Sequence, residues 1–438
     1  MRSTEHCDDR HSAGAGGLDG RLLHDAVRLV LRAVVAARDE GGRLTPTSGA
    51  PQLNRDKVDS EAAMLLRAAL PLADRVPGLR ASLTRLGAEL ATPTPSEVAV
   101  RLCLHPGVAL DLALVPLHLS ALGLGDPSLE PLLEDLFGHE RLRGPERPPH
   151  RELEQQWLHG LWSGGTAPAE LARAVSASCL GWEFDHLAGT TDDAYAFTHA
   201  ILYASDHGRR RVALPRPVPA ITADAEAILA VALDAGNHDV AAEALWTWTM
   251  LGLDEPPLAA RARDLLGAVS SERGFLPGPG FDPAVHEQLP LPERDAYVLR
   301  TSYHTTLVHG LLLASVLDGG PHRPGRAPRA TPARPGAASA LLPYCPPRPG
   351  AQEWWGRVGS LPAAEQDALA PALAAMALRR AAVNADLAVL REILDVVAAH
   401  RLAETPAVRQ ARLLLRRAVA CAGIAAGYSE AAQATSAG

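Results

Sequence analysis

Apolar residues recur at three- and four-residue spacing along almost all of this 438-residue chain, as in Leu22-Leu23, Val27, Val30-Leu31 and Val34-Val35. No segment sustains the period-two alternation of β-branched and aromatic residues that a half-buried strand needs, so the chain is predicted to be all-α. Gly and Pro clusters set the helix breaks. They fall at Gly41-Gly42, from Thr45-Pro46 to Pro51, at Pro77-Gly78, Pro93 to Pro95, Gly125 to Pro127, Gly164-Gly165, Pro215 to Pro219, Gly236-Asn237, Pro256-Pro257 and Pro277 to Pro279.

Short turns between helices make a chain of α-hairpins. Such a chain becomes globular as an open solenoid or as a closed ring, the α/α toroid. A solenoid repeats at a fixed period with recurring anchor residues, and none recurs here, so the toroid is the expected architecture and the solenoid its alternative. Residues 1–20, rich in Ser, Gly, Asp and His, read as a disordered tail. Residues 21–141 form an N-terminal helical part and 150–318 a central one, joined by a short linker at Arg143 to Pro149. Residues 319–350, dominated by Gly, Pro, Arg and Ala, read as a flexible linker, and 351–430 as C-terminal helices completing the domain, with Trp354-Trp355 as their anchor.

Composition narrows the function. At 47% hydrophobic and 21% charged the chain is globular, and a net charge of −8 argues against nucleic acid as a partner. Aromatics make up only 4%, too few for a sugar-stacking groove. Lys57 is the only lysine, and it sits in the unpromising stretch Asn54-Arg55-Asp56-Lys57-Val58-Asp59, so Schiff-base chemistry is set aside. Cys7, Cys103, Cys179, Cys345 and Cys421 are scattered and odd in number, which excludes a disulfide framework and the usual zinc spacings. With no apolar run of membrane length and no signal-peptide pattern at the N-terminus, a cytoplasmic location is expected.

Two polar blocks stand out. The first runs from Trp182-Glu183-Phe184-Asp185-His186 to His207-Gly208. Thr190 or Thr191 is a good N-cap, Asp192 and Asp193 suit the first turn, and Gly208 suits the stop. Tyr195, His199 and Tyr203, at i, i+4 and i+8, line one helical face with Asp192 and Asp206 near its edges. A histidine so placed can act as acid or base near neutral pH. The same residues can equally be core aromatics and a hydrogen-bonded core histidine, and the two aspartates partners of the helix dipole.

The second block, from Asp295-Ala296-Tyr297 to Val308-His309-Gly310, is expected to open an apolar helix running to about Val316, and it holds the unusual cluster Ser302-Tyr303-His304-Thr305-Thr306. Buried polar groups need partners, so the block reads either as part of a site or as a locally capped helix start. His304 and His309 lie about 140° apart on a helix, which puts His304 inward, His309 outward, and no metal between them. Ala244 to Met250 carries Trp246 and Trp248 and reads as packing. Phosphate-binding glycine loops, the G-x-S-x-G elbow, H-E-x-x-H and the aspartate motifs of terpene enzymes are all absent.

Trp182 to Gly208 together with Ser302 to Thr306 resembles an actinobacterial α/α-toroid family, similar to the stand-alone cyclases of class V lanthipeptides. The arginine-, alanine-, glycine- and proline-rich composition fits a GC-rich actinobacterial genome. The resemblance spans residues 150–318 and implies a fold, a reaction and a partner. The reaction is addition of a cysteine thiol to a dehydroalanine or dehydrobutyrine, closing a thioether ring. The partner is a dehydrated, Cys-containing precursor peptide, with other maturation enzymes of the same pathway. Zinc-dependent lanthionine cyclases bind their metal through two cysteines and a histidine, one cysteine directly preceding that histidine. No Cys-His dipeptide occurs here, so neither metal nor cofactor is expected and acid–base work replaces zinc. His199 is then the base, oriented by Tyr195 or Asp192, and His304 or Tyr303 the proton donor, with Trp182, Asp193, Tyr203 and Thr305 contacting substrate. The rival reading is a non-catalytic helical protein that binds a peptide or a partner enzyme. A toroid glycosidase or lyase is third, disfavoured by the few aromatics and the lack of an isolated carboxylate pair.

Overall fold

Asn54, Thr190, Asn237 and Asp386 each turn a side-chain oxygen onto a backbone N–H one turn on, starting four of the long helices. Gly164, Gly236, Gly274 and Gly319 stop others in the left-handed conformation that favours glycine. The computed structural model describes residues 9–40, 53–93, 95–138, 146–319 and 334–436. Among the described residues every regular element is a helix and no strand occurs. No helix among them is long and apolar enough to cross a membrane.

Helices of twelve residues or longer are labelled α1 (Asp9–Glu40), α2 (Arg55–Ala69), α3 (Leu79–Leu90), α4 (Pro149–Ser163), α5 (Thr191–Ser205), α6 (Val218–Ala235), α7 (His238–Leu251), α8 (Pro257–Arg273), α9 (Leu291–Asp318), α10 (Ala370–Val383), α11 (Leu387–Ala399) and α12 (Pro406–Ser436). A single apolar cluster runs from Leu22 to Ala411 and is shared by the N-terminal, central and C-terminal helices. α1 lies along α9, α2 and α3. α7 packs between α5, α6 and α9, and α9 packs on α2. Gly310 allows the closest approach: a Cβ there would meet the Ala26 Cβ at 3.0 Å and Leu65 at 3.3 Å, so α1, α2 and α9 meet at a residue with no side chain.

Three sequence expectations change. Of the expected tail, residues 1–8 lie outside the described residues, but helix α1 already begins at Asp9. Of the expected linker, 320–333 lie outside the described residues, whereas 334–350 are ordered. Ala337, Ala338, Leu341 and Cys345 are buried there, and Asp367 accepts the Gly336 and Ala338 N–H groups. Its Pro and Arg content hid three buried apolar residues of a short helix, Ala337–Leu341, and a buried cysteine just beyond it. The helix expected to open with the polar block at Asp295 starts about one turn earlier, as α9 at Leu291.

The C-terminal helices attach in two places. Arg380 of α10 donates to Asp234 of α6 and to the Pro346 carbonyl, with its guanidinium 5.6 Å from the Trp355 ring centre. The loop before α5 is the second: Gln410 accepts the His186 N–H and donates to the Phe184 carbonyl, and Arg409 pairs with Glu183 at 2.8 Å.

Candidate active site

The capping box of α5 fixes the start of the first polar block. Thr190 Oγ1 accepts the Asp193 N–H while the Asp193 carboxylate accepts the Thr190 N–H at 2.8 Å. Asp193 is therefore a cap, and its carboxyl is held below the usual range by those hydrogen bonds. From that start the helical period carries Tyr195, His199 and Tyr203 down one face, with ring centres 5.9 and 5.8 Å apart in succession.

That face meets α7. The Tyr195 hydroxyl donates to Asp239 Oδ2 at 2.6 Å, Thr198 donates to Glu243 Oε2 at 2.5 Å, and His199 Nε2 stands 3.5 Å from Glu243 Oε1. Tyr203 lies deeper, donating to Glu154 Oε1 at 2.7 Å, and Arg151 holds the other Glu154 oxygen.

α9 approaches from the opposite side. His304 Nε2 lies 3.6 Å from Asp239 Oδ2, and His304 Nδ1 lies 3.0 Å from Glu61 Oε1 on α2. Glu61 also takes up the Tyr303 hydroxyl, Thr305 approaches Asp239, and the Lys57 ammonium stands 3.6 Å from Glu61. The neighbouring hydroxyls face elsewhere. Ser302 accepts the Gly278 N–H and Thr306 the Leu276 N–H, pinning the loop after α8. His309, expected outward, is buried with its Nδ1 2.9 Å from Ser270 Oγ of α8, because α9 is packed by α1, α2 and α7 and has no open face at this residue.

The two imidazoles from polar blocks about a hundred residues apart thus face one pair of buried carboxylates. Asp239 and Glu243 are 2% and 4% exposed, whereas the His199 and His304 side chains keep 23% and 29% of their surface open. Charge follows geometry. Burial opposes protonation of His304, but Glu61 and then Asp239 outweigh it and push the imidazole up to about 9. Burial opposes protonation of His199 as well, and Glu243 more than offsets it. Burial and the neighbouring carboxylates keep Tyr195 and Tyr303 protonated far into alkaline pH. Asp239 is raised by burial, against the pull of His304, while Glu243 is held low by His199 and Thr198 despite its burial.

Of the residues picked from sequence, Tyr195, His199, Tyr303, His304 and Thr305 come together and Tyr203 lies beneath them. Asp192 and Trp182 do not. Asp192 is exposed in the first turn of α5, and Trp182, 56% exposed, belongs to the loop that docks the C-terminal helices. Glu61, Asp239 and Glu243 were missed. The signal for the last two was a carboxylate pair at i, i+4 inside the apolar run Val240-Ala241-Ala242 and Ala244-Leu245. A cavity of about 770 Å³ lies on a different face of α2 from Glu61, lined by Asp56, Asp59, Leu90, Val115 and Leu119.

No curated protein and no solved structure matches this chain. A family model described as a domain of unknown function, DUF6895, matches residues 27–314, which take in Glu61, His199, Asp239, Glu243 and His304 but none of the helices from 337 onward. Since that match covers well over half of the sequence, the chain belongs to the DUF6895 family.

Proposed function

We propose that this chain is a peptide-modifying cyclase that closes thioether rings in natural-product biosynthesis, working in the cytoplasm on a dehydrated, Cys-containing precursor. The observation that carries the reading is the convergence of His199 and His304, both open at one edge, on the buried Asp239–Glu243 pair. His199 takes the thiol proton as sulfur bonds to the β-carbon of the dehydroamino acid. The displaced double-bond electrons form an enolate, and Tyr303 or His304 returns a proton to the α-carbon, so no atom is gained or lost. A thiol with pKa near 8.5 needs only a modest base, and a buried donor stabilises the enolate. The reaction does not use the cysteine-bound zinc of the zinc-dependent cyclases. The helices are proposed to close as an α/α toroid, since α1 lies along α9 instead of meeting only its sequence neighbours as in a solenoid.

The test is mass spectrometry of a dehydrated precursor peptide from the same gene cluster, alkylated at free thiols after incubation with the protein. Loss of alkylatable thiols without change in peptide mass is the expected result. A second reading, a non-catalytic peptide-binding protein acting beside other maturation enzymes, is favoured by the cavity beside α2. It predicts that the peptide binds and every thiol stays alkylatable, which would overturn the cyclase.

A further inference from the structure

We propose that Asp239, Glu243 and His304 form a binding site for one divalent cation, of the class that accepts two carboxylates and an imidazole (Mn²⁺, Fe²⁺ or Zn²⁺). Each residue offers a ligand atom, and the three atoms lie within 4.8 Å of one another. The i, i+4 spacing puts Asp239 and Glu243 on one face of α7, and α9 supplies the imidazole across the helix interface. Carboxylate and imidazole ligands suit first-row divalent metals, and no thiolate is needed.

A separate observation points to a ligand here. Asp239 is 2% exposed, yet its Oδ1 has no hydrogen-bond partner. An unsatisfied buried carboxylate oxygen is costly and calls for a cation or a donor. The surroundings have the form of a metal site's outer shell. Glu61 faces His304 Nδ1 at 3.0 Å and so leaves Nε2 for the ion, while Tyr195 and Thr198 donate to the two carboxylates. Carboxylate–histidine–metal relays of this kind orient the ring and raise its basicity. Three carboxylates (Glu61, Asp239 and Glu243) crowd this centre, opposed by Lys57, His199 and His304, and a dication supplies the missing positive charge without relying on imidazole protons.

The site stands independently of the thioether reaction. If both hold, His304 is a ligand and the proton donor is Tyr303. The test uses the full-length protein, freed of metal with a chelator and desalted. It is titrated separately with Mn²⁺, Zn²⁺ and Mg²⁺ by calorimetry, and retained metal is counted by elemental analysis. Retention of one Mn²⁺ or Zn²⁺ per chain is expected, with affinity at least about tenfold lower in His304→Gln and Asp239→Asn. Circular dichroism checks that each variant is folded, and if Asp239→Asn is not, His304→Gln decides. The proposal is overturned if the folded wild type retains neither ion, or if His304→Gln binds as tightly as the wild type. Neither outcome bears on the thiol count.

Discussion

His309 shows how a buried residue sets a solution property. Burial, with Arg263 nearby, lowers its pKa to about 3, so it is neutral in the fold, whereas the unfolded chain takes up a proton near pH 6.5. Between those values the unfolded state binds more protons. The stabilisation is therefore complete above pH 6.5 and lost progressively as pH falls toward 3, by about 2 kcal/mol between pH 7 and 5. Glu226, pushed up to about 7 by burial, works in the opposite direction, so a comparison isolates the effect. His309→Gln, which keeps a partner for Ser270, is expected to lose less stability than wild type over that pH range in urea titrations; equal slopes would contradict it. The same scale marks the limit of the sequence reading. The Tyr195–His199–Tyr203 face was legible because period 3.6 alone places it. Glu61 was not, since among Arg55, Asp56, Lys57 and Asp59 it looks like one more surface charge until α9 sets His304 on it.

At the scale of elements, apolar spacing and Gly/Pro punctuation were enough to place most helices: α7 follows the break at Gly236-Asn237 and α8 starts at Pro256-Pro257. The bounds of α9 were legible to about a turn: the polar block placed its start at Asp295 and its end near Val316, and the helix runs from Leu291 to Asp318. Gly310 in the same helix has no periodic signature, yet it sets how closely α9 meets α1 and α2. Gly310→Leu is expected to overpack that junction and cost about 1–3 kcal/mol, read as a fall in melting temperature. An unchanged melting temperature would show that the helices do not meet there. Glu61 on α2 and His304 on α9 depend on the same junction, so the variant should also disturb the site.

For the whole molecule, the surprise is how firmly the C-terminal helices are held. Composition at 334–350 suggested a tether, but composition cannot report that Ala337, Ala338, Leu341 and Cys345 are buried or that Asp367 accepts the Gly336 and Ala338 N–H groups at the helix start. Arg380 and Asp234, 7% and 4% exposed, form a buried ion pair joining α10 to α6. Removing one partner leaves a buried charge, so Arg380→Met is expected to cost about 3–5 kcal/mol in urea unfolding. Adding Asp234→Leu should recover most of that loss. If the single variant is no less stable than wild type, the C-terminal helices are not anchored by this pair.

The central claim is that chemistry resides where α5, α7 and α9 meet. The most direct measurement is the single-turnover rate of thiol loss from the dehydrated precursor with His199→Ala beside wild type, both confirmed folded by their melting temperatures. A rate lower by at least about tenfold, roughly 1.4 kcal/mol of barrier, is predicted. Ring closure at the wild-type rate by the folded variant would contradict it and return His199 to the role of a core histidine.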